Sequence, residues 1–294
     1  MTDIASRPMR SWLFAPGDSE KKMAKAVASA ADMVIFDLED AVAVENKPEA
    51  RSMVHSILER HEGDCARLFV RINPLDGPDA LADLATIMPG KPGGIMLPKC
   101  RGRQQVETLD KYLAALEVAS AIAPGSTRVM ILATETAGSM FHCGDYAGAP
   151  RLMAMTWGAE DLADAVGAAG NTNPDGSYGF TYEMARSMAL LGAAHAGVAA
   201  IDTIHGDFRD LDGLKSRAER LRREGFAGML AIHPAQVEII NAAFTPSEEE
   251  LAQARRIVAL FEANPGVGAI GYEGGMLDRP HLSRALQVLA QAGN

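Results

Sequence analysis

The sequence predicts an α/β protein, a single (β/α)8 TIM barrel followed by a C-terminal helical, glycine-rich lid segment. Eight short apolar runs alternate with longer stretches of helical periodicity, the pattern of repeated strand–helix units. The runs are apolar nearly throughout rather than at every second residue, which suits strands buried on both faces of a parallel sheet. The 294 residues exceed the ~250 that one such barrel needs, so a tail remains beyond it.

In chain order the strand runs are SWLFAP (11–16), MVIFDLE (33–39), RLFVRIN (67–73) and GGIMLPK (93–99). RVMILATE (128–135), LMAMTWG (152–158), VAAIDTIH (198–205) and AGMLAIH (227–233) complete the set. Amphipathic stretches such as SEKKMAKAVASAAD, RQQVETLDKYLAALEVASAI and GLKSRAERLRREG fall between them. An open doubly wound sheet would want a GxGxxG turn after its first strand, and APGDSE does not supply one. Past the eighth run, residues 246–263 read as an amphipathic helix opened by Pro246 and Ser247. Residues 264–280 hold five glycines and read as a mobile connection, with a short last helix after it. The expected division is a barrel over residues 1–245 and an extension over 246–294 that serves as a lid or an oligomer contact.

Composition narrows the function. Asp and Glu outnumber Lys and Arg, 38 to 28, for a net charge of -10, which argues against nucleic acid as a partner. No stretch of ~20 residues is free of polar groups, so no transmembrane helix and no membrane partner are expected. The start, MTDIASRPMRSW, lacks an apolar core behind basic residues, so no secretory leader is expected. Cys65, Cys100 and Cys143 show neither CxxC nor Cys/His metal spacing. A cytoplasmic protein with reduced thiols is the expectation. No P-loop, dinucleotide fingerprint or Ser–His–Asp order is present.

In such barrels the chemistry lies at the C-terminal ends of the strands. Here seven of eight strands end in ionisable side chains: Asp37, Glu39 and Asp40; Arg71; Lys99; Glu135; Glu160 and Asp161; Asp202 and His205; His233. Glu135 and Asp161 end consecutive strands, which lie ~4.8 Å apart in a sheet. Two carboxylates with waters and substrate oxygens would suit Mg2+; the alternative is two solvated loop acids. Arg71 has the planar fork that binds a carboxylate bidentately, or it pairs with Asp37 or Glu39 next door. Lys21, Lys22 and Lys25 crowd the first turns of a helix, where cations oppose the helix dipole. Either an anionic ligand meets them or they form a solvated face.

Several motifs together carry a resemblance: RSWLFAPGDSEKKMAKA, ADMVIFDLEDAV, VRINP, GIMLPK, ILATETAGS, MTWGAEDLADAVG and GFAGMLAIHPAQV. The chain resembles the citrate lyase β-subunit-like proteins, within the wider group of HpcH/HpaI aldolases and malyl-CoA or citramalyl-CoA lyases, over roughly residues 10 to 290. The resemblance implies a TIM barrel, Mg2+ dependence and carbon–carbon cleavage or formation on an acyl-CoA thioester with a small organic acid, in a homo-oligomer, a trimer or hexamer. By it, Glu135 and Asp161 are the metal ligands, and Glu135 also borders the substrate. Arg71 holds the substrate carboxylate and belongs to the catalytic set. Phe14, Lys21 and Lys25 contact the CoA portion. Asp278 matches an acid carried on the C-terminal segment, commonly from a neighbouring subunit, and is the candidate acid–base residue. Met229 and Gly275 stand where members often carry lysine, which removes positive charge near the expected thioester and pyrophosphate region. An acyl-carrier-dependent component of a citrate lyase complex and a malyl-CoA thioesterase are the alternative expectations.

Overall fold

The computed structural model describes residues 8–292. Residues 1–7 and 293–294, part of the stretch read for a leader and the outer ends of the two predicted segments, lie outside the described residues. Eight parallel strands form a closed barrel: β1 (Ser11–Pro16), β2 (Met33–Asp37), β3 (Leu68–Arg71), β4 (Gly94–Leu97), β5 (Arg128–Leu132), β6 (Leu152–Thr156), β7 (Ala199–Asp202) and β8 (Gly228–Ala231). They pair in chain order, and β8 closes on β1 with Trp12 opposite Leu230.

Both faces of each strand are buried, which is why the runs carry no polar alternation. Trp12, Met33, Ile35, Phe69, Met96 and Met130 fill the barrel interior. The intervening residues, Leu13, Val34, Phe36, Val70, Ile95 and Ile131, face the helices in a second, larger cluster. Trp12 meets the Phe69 ring edge-on at 4.9 Å. Gly94 makes room for that packing, since a Cβ there would lie 2.1 Å from the Phe69 ring.

The outer layer consists of α1 (Glu20–Val27), α2 (Lys47–Arg60), α3 (Ala80–Ile87), α4 (Arg103–Ala119), α5 (Glu160–Ala165), α6 (Phe180–Ala196), α7 (Leu211–Glu224) and α8 (Pro234–Ala243). The regular alternation expected from the sequence breaks around β6, which is followed by two helices, α5 and α6, and preceded by none. Between β5 and β6 the chain makes only a 3-10 turn, Ser139–His142. Residues 133–151 contain Gly138, Gly144, Gly148 and Pro150, and an interior Gly or Pro costs a helix ~1 or ~3 kcal/mol. Buried Met140, Cys143 and Tyr146 cover the barrel there instead.

The tail begins as predicted with α9 (Glu248–Ala263), capped by a reciprocal Ser247–Glu250 box. The expected mobile connection is instead an antiparallel hairpin, β9 (Ala269–Tyr272) and β10 (Gly275–Asp278). Its two-residue turn, Glu273–Gly274, has positive φ at both positions (48° and 79°), the conformation that matches strand twist. A glycine-rich composition is therefore a turn signal here. The last helix, α10 (Arg279–Ala292), packs on α9 and against β10.

Candidate active site

The C-terminal ends of the strands surround a cavity of about 340 Å3. Asp37 ends β2 directly opposite Arg71, which ends β3. Arg71 donates from Nε and Nη2 to the two Asp37 oxygens at 2.7 and 2.6 Å, and its Nη1 lies 3.0 Å from Glu39 Oε2. Burial pulls the Arg71 pKa down, but hydrogen bonds and charge from Asp37, with Glu39 and Glu135 beyond, raise it on balance. The guanidinium also stacks over Phe14, 5.1 Å from the ring centre. Asp37 is saturated further by the backbone N–H groups of Glu39 and Ala41, each at 3.0 Å. The ion pair read as one alternative for Arg71 is thus present. Two of the five N–H groups a guanidinium carries are hydrogen-bonded to Asp37, and Nη1 lies within ion-pair distance of both Glu39 and Asp40.

The adjoining part of the rim is built around Lys99, just after β4. Its backbone is left-handed (φ 49°), and its N–H donates to Glu135 Oε2 at 2.6 Å. Its ammonium donates to Glu39 Oε1 at 2.6 Å and lies 3.1 Å from Asp161 Oδ1. One residue therefore ties together acids from the ends of β2, β5 and β6. Glu135 is 4 % exposed, and burial, with the negative charges of Glu39 and Asp161, pushes its carboxyl up to about 8. Gly158 admits it, because a Cβ there would come within 3.2 Å of Glu135 Cγ and Oε1. Glu160 turns instead towards Asn171, accepting a hydrogen bond at 2.8 Å.

This donor set fits a small, hard dication. Glu135 and Asp161 face one cavity from adjacent strand ends, and the negative charges of Glu39 and Asp161 beside the buried Glu135 are ones that a cation would relieve. Among the described residues no three His, Cys, Asp or Glu side chains converge as a closed metal site. Two carboxylates with open positions is the arrangement Mg2+ accepts, since it keeps several waters or substrate oxygens.

Phe14, Arg71, Glu135 and Asp161 are therefore brought together in one cavity wall. Lys21 and Lys25 are not. Both are exposed on α1, outside that wall, and neither joins an ion pair among the described residues. Asp278 is also outside it. It ends β10, where the His281 ring nitrogen, hydrogen-bonded to it, holds its carboxyl below the ordinary range. Met229 is fully buried between barrel and helices, and Gly275 is in the hairpin, so neither lysine-replacing position borders the cavity. His205 pairs with Asp210 at 3.3 Å, while His233 caps α8 and stacks on Phe208 at 4.8 Å. Asp202, fully buried, accepts from Trp157 Nε1 at 2.6 Å and from Arg217. Sequence reasoning did not assign a role to Lys99, although its place after GIML at a strand end was a signal. It also missed Tyr178, a wall residue backed by Trp157 and by Arg217 over its ring at 5.3 Å. Tyr178 lies in a loop, where no periodicity points to it.

Comparison with known proteins agrees with this fold. The HpcH/HpaI aldolase/citrate lyase family model matches residues 10–234, and that of a C–C bond lyase of the TIM-barrel fold matches residues 189–294. A citrate lyase subunit beta-like protein of Mycobacterium tuberculosis is 36% identical over 96% of this chain and 95% of its own. A (3S)-malyl-CoA thioesterase of Cereibacter sphaeroides is 35% identical over 98% of this chain and 95% of its own. The crystal structure of protein CitE from M. tuberculosis, in complex with magnesium, acetoacetate and coenzyme A, superposes with a TM-score of 0.81. It is 36% identical and the match covers 98% of this chain and 100% of that one.

Proposed function

Since this chain belongs to the HpcH/HpaI aldolase/citrate lyase family, we propose that it is a Mg2+-dependent carbon–carbon lyase that cleaves or forms a 3-hydroxyacyl-CoA thioester of citramalyl-, malyl- or citryl-CoA type. The observation that carries this reading is the pairing of Glu135 and Asp161 across one cavity, with Lys99 holding both and Arg71 facing them.

Glu135 and Asp161 would hold the cation. The chemistry such a cation supplies is chelation of the acid's carboxylate and neighbouring oxygen, with neutralisation of the charge that develops there. Lys99 fixes the two ligands: its amide orients Glu135 and its ammonium restrains Asp161. Arg71, immobilised by Asp37, would meet a substrate carboxylate without needing to reorder. Asp278, kept anionic by His281, is suited to take a proton from the thioester's α-carbon in the condensing direction and to return it in cleavage. Because it lies outside its own cavity wall, it would act on a neighbouring copy in a homo-oligomer. Lys21 and Lys25, exposed on the helix that follows β1, are the cations that the phosphates of CoA would meet.

The relative named as a thioesterase supports a second reading, in which the same site orients water against malyl-CoA. The relative named citrate lyase subunit beta-like supports a third, action on a carrier-bound acyl group. The test is to incubate the purified protein with Mg2+ and each thioester and to follow products by mass. Acetyl-CoA with a 2-oxo acid is the expected outcome. Free CoA without acetyl-CoA would replace the lyase reading by the hydrolase one, and turnover confined to carrier-bound substrates would establish the third.

A further inference from the structure

We propose that the Tyr178 hydroxyl is the hydrogen-bond donor to the thioester carbonyl oxygen, the atom on which negative charge develops during the reaction. The inference rests on the reading of the substrate as a thioester and adds a residue to its chemistry.

Tyr178 lies in the loop between α5 and α6 and lines the cavity. That loop folds back on itself. Thr172 bridges to Tyr178, the Asn173 N–H donates to the Ser177 carbonyl at 2.7 Å, and the Asn173 side chain donates to the Tyr178 carbonyl at 3.2 Å. The ring is held from two sides: Trp157 meets it edge-on at 5.1 Å, and the Arg217 guanidinium lies over it at 5.3 Å. Both neighbours are anchored on one fully buried carboxylate, Asp202, which accepts from Trp157 Nε1 and Arg217 Nη2, each at 2.6 Å. Burial lowers the Arg217 pKa, but Asp202 and Tyr178 raise it on balance. A ring fixed in this way has little left to reorganise when charge appears beside it.

The hydroxyl has its proton to spare. The buried tyrosines donate inside the protein, Tyr146 to Cys100 Sγ at 3.5 Å and Tyr182 to the Gly170 carbonyl at 3.3 Å. Tyr178 donates to no atom of the described residues. Its neighbours in the wall include Ile204, Leu230 and Ile232, so an oxygen arriving there loses water and needs a donor in exchange. Thr203 is the other hydroxyl of the wall, and it lacks such a clamp of aromatic and guanidinium groups. Arg71 ends β3, and Thr203 and Ile204 follow β7, half-way round the closed barrel. An acid held between Arg71 and the pair Glu135 and Asp161 therefore turns its other end, the thioester, towards Tyr178.

The step balances without an oxidant or reductant. The substrate hydroxyl loses its proton to solvent, its electron pair forms the C=O of the oxo acid, and the bond to the thioester's α-carbon breaks. That bond's electron pair moves onto the thioester, whose carbonyl oxygen becomes the enolate oxygen and accepts from Tyr178. Collapse of the enolate returns the pair to the α-carbon, which takes a proton from the acid–base residue. Tyr178 keeps its own proton throughout.

Two measurements on the full-length protein test this, both with Tyr178→Phe, which keeps the ring against Trp157 and Arg217 and removes only the hydroxyl. Turnover of whichever thioester the wild type uses should fall ~10²-fold in kcat, with KM and Mg2+ affinity near wild type, since a donor to a developing oxyanion acts on the transition state. Acetyl-CoA carrying carbon-13 at its carbonyl should show a downfield-shifted signal when bound to the wild type in Mg2+, and the variant should lose most of that shift. Ordinary turnover in the variant overturns the inference. So does a carbonyl signal that is unshifted in the wild type or unchanged in the variant, which would reduce Tyr178 to a packing role. Loss of the shift in Thr203→Val but not in Tyr178→Phe would assign the donor to Thr203 and overturn it equally. If the wild type releases CoA without acetyl-CoA, the lyase reading falls, and the same variant still decides: attack of water charges the same oxygen, so a ~10²-fold loss upholds the inference and ordinary hydrolysis overturns it.

Discussion

Arg71 is held by its own protein before any ligand arrives, which makes its identity testable separately from its charge. Arg71→Lys keeps the charge but cannot span both Asp37 oxygens, which lie 2.7 and 2.6 Å from two different nitrogens. We expect a loss of kcat/KM of at least ~10²-fold and a lower melting temperature, since each lost hydrogen bond to a charged group costs ~1.5–3 kcal/mol. A lysine variant that turns over normally would reduce Arg71 to its ion pair. Glu135 makes the opposite kind of prediction. Its carboxylate is buried at a net cost, as its upward shift to about 8 shows. Glu135→Gln should therefore abolish Mg2+ binding in a calorimetric titration while leaving metal-free melting unchanged or higher. A variant that still binds the ion ordinarily would remove Glu135 from the ligand set. These side chains were legible because strand ends are recognisable and carboxylates on adjacent strands must be neighbours. Lys99 was less so, because its role depends on a left-handed backbone and the reach of a flexible ammonium, which sequence spacing does not encode.

At the scale of elements, the strands were readable because burial on both faces leaves eight uninterrupted apolar runs, and each observed strand falls inside its run. The misreadings both involve glycine. In residues 133–151 it weakens a helix that the barrel can omit, and in Glu273–Gly274 it shapes a hairpin turn. The attachment of the tail is more specific than its composition suggests. Glu250, in the first turn of α9, pairs with Arg222 of α7, and Arg222 also donates to the Thr245 carbonyl at 3.1 Å. The Arg222 hydrogen bond holds the Glu250 carboxyl down to about 2. The folded state thus binds fewer protons there than the unfolded chain, whose glutamate titrates near ~4.3. This contribution to stability is complete above ~4.5 and is lost as pH falls towards 2. Because Glu250 is half-exposed, the effect is modest, and a difference measurement is needed. Between pH 5 and pH 3 the wild type should lose more melting temperature than Glu250→Gln. Equal losses would show that the pair does not anchor α9.

For the molecule as a whole, the charge distribution and the tail point the same way. On the proposed function, a chain of net charge -10 would bind an acidic acyl thioester and so needs its cations concentrated locally, while the cavity's own are neutralised by internal partners. The hairpin that carries Asp278 packs with α10, and Asp278 takes no part in the wall of its own barrel's cavity. On the proposed function, one chain alone would therefore hold its binding site and its acid–base residue in different places. A symmetric ring resolves this, since each tail can serve the next barrel around a closed cycle. The consequence is quantitative. Asp278→Asn should leave Mg2+ and oxo-acid affinity near wild type while lowering turnover ~10²-fold or more, because it removes proton transfer and not binding. Asp161→Ala should remove the cation site and also be inactive. Mixed in equal amounts, dissociated and reassembled, the two dead proteins create sites that join an intact Asp161 from one chain to an intact Asp278 from its neighbour. Random reassortment makes about a quarter of all sites of this kind, so activity should return to about a quarter of wild type. If Asp278 instead serves its own barrel, every site in the mixture has one defect and activity stays at the level of the separate variants.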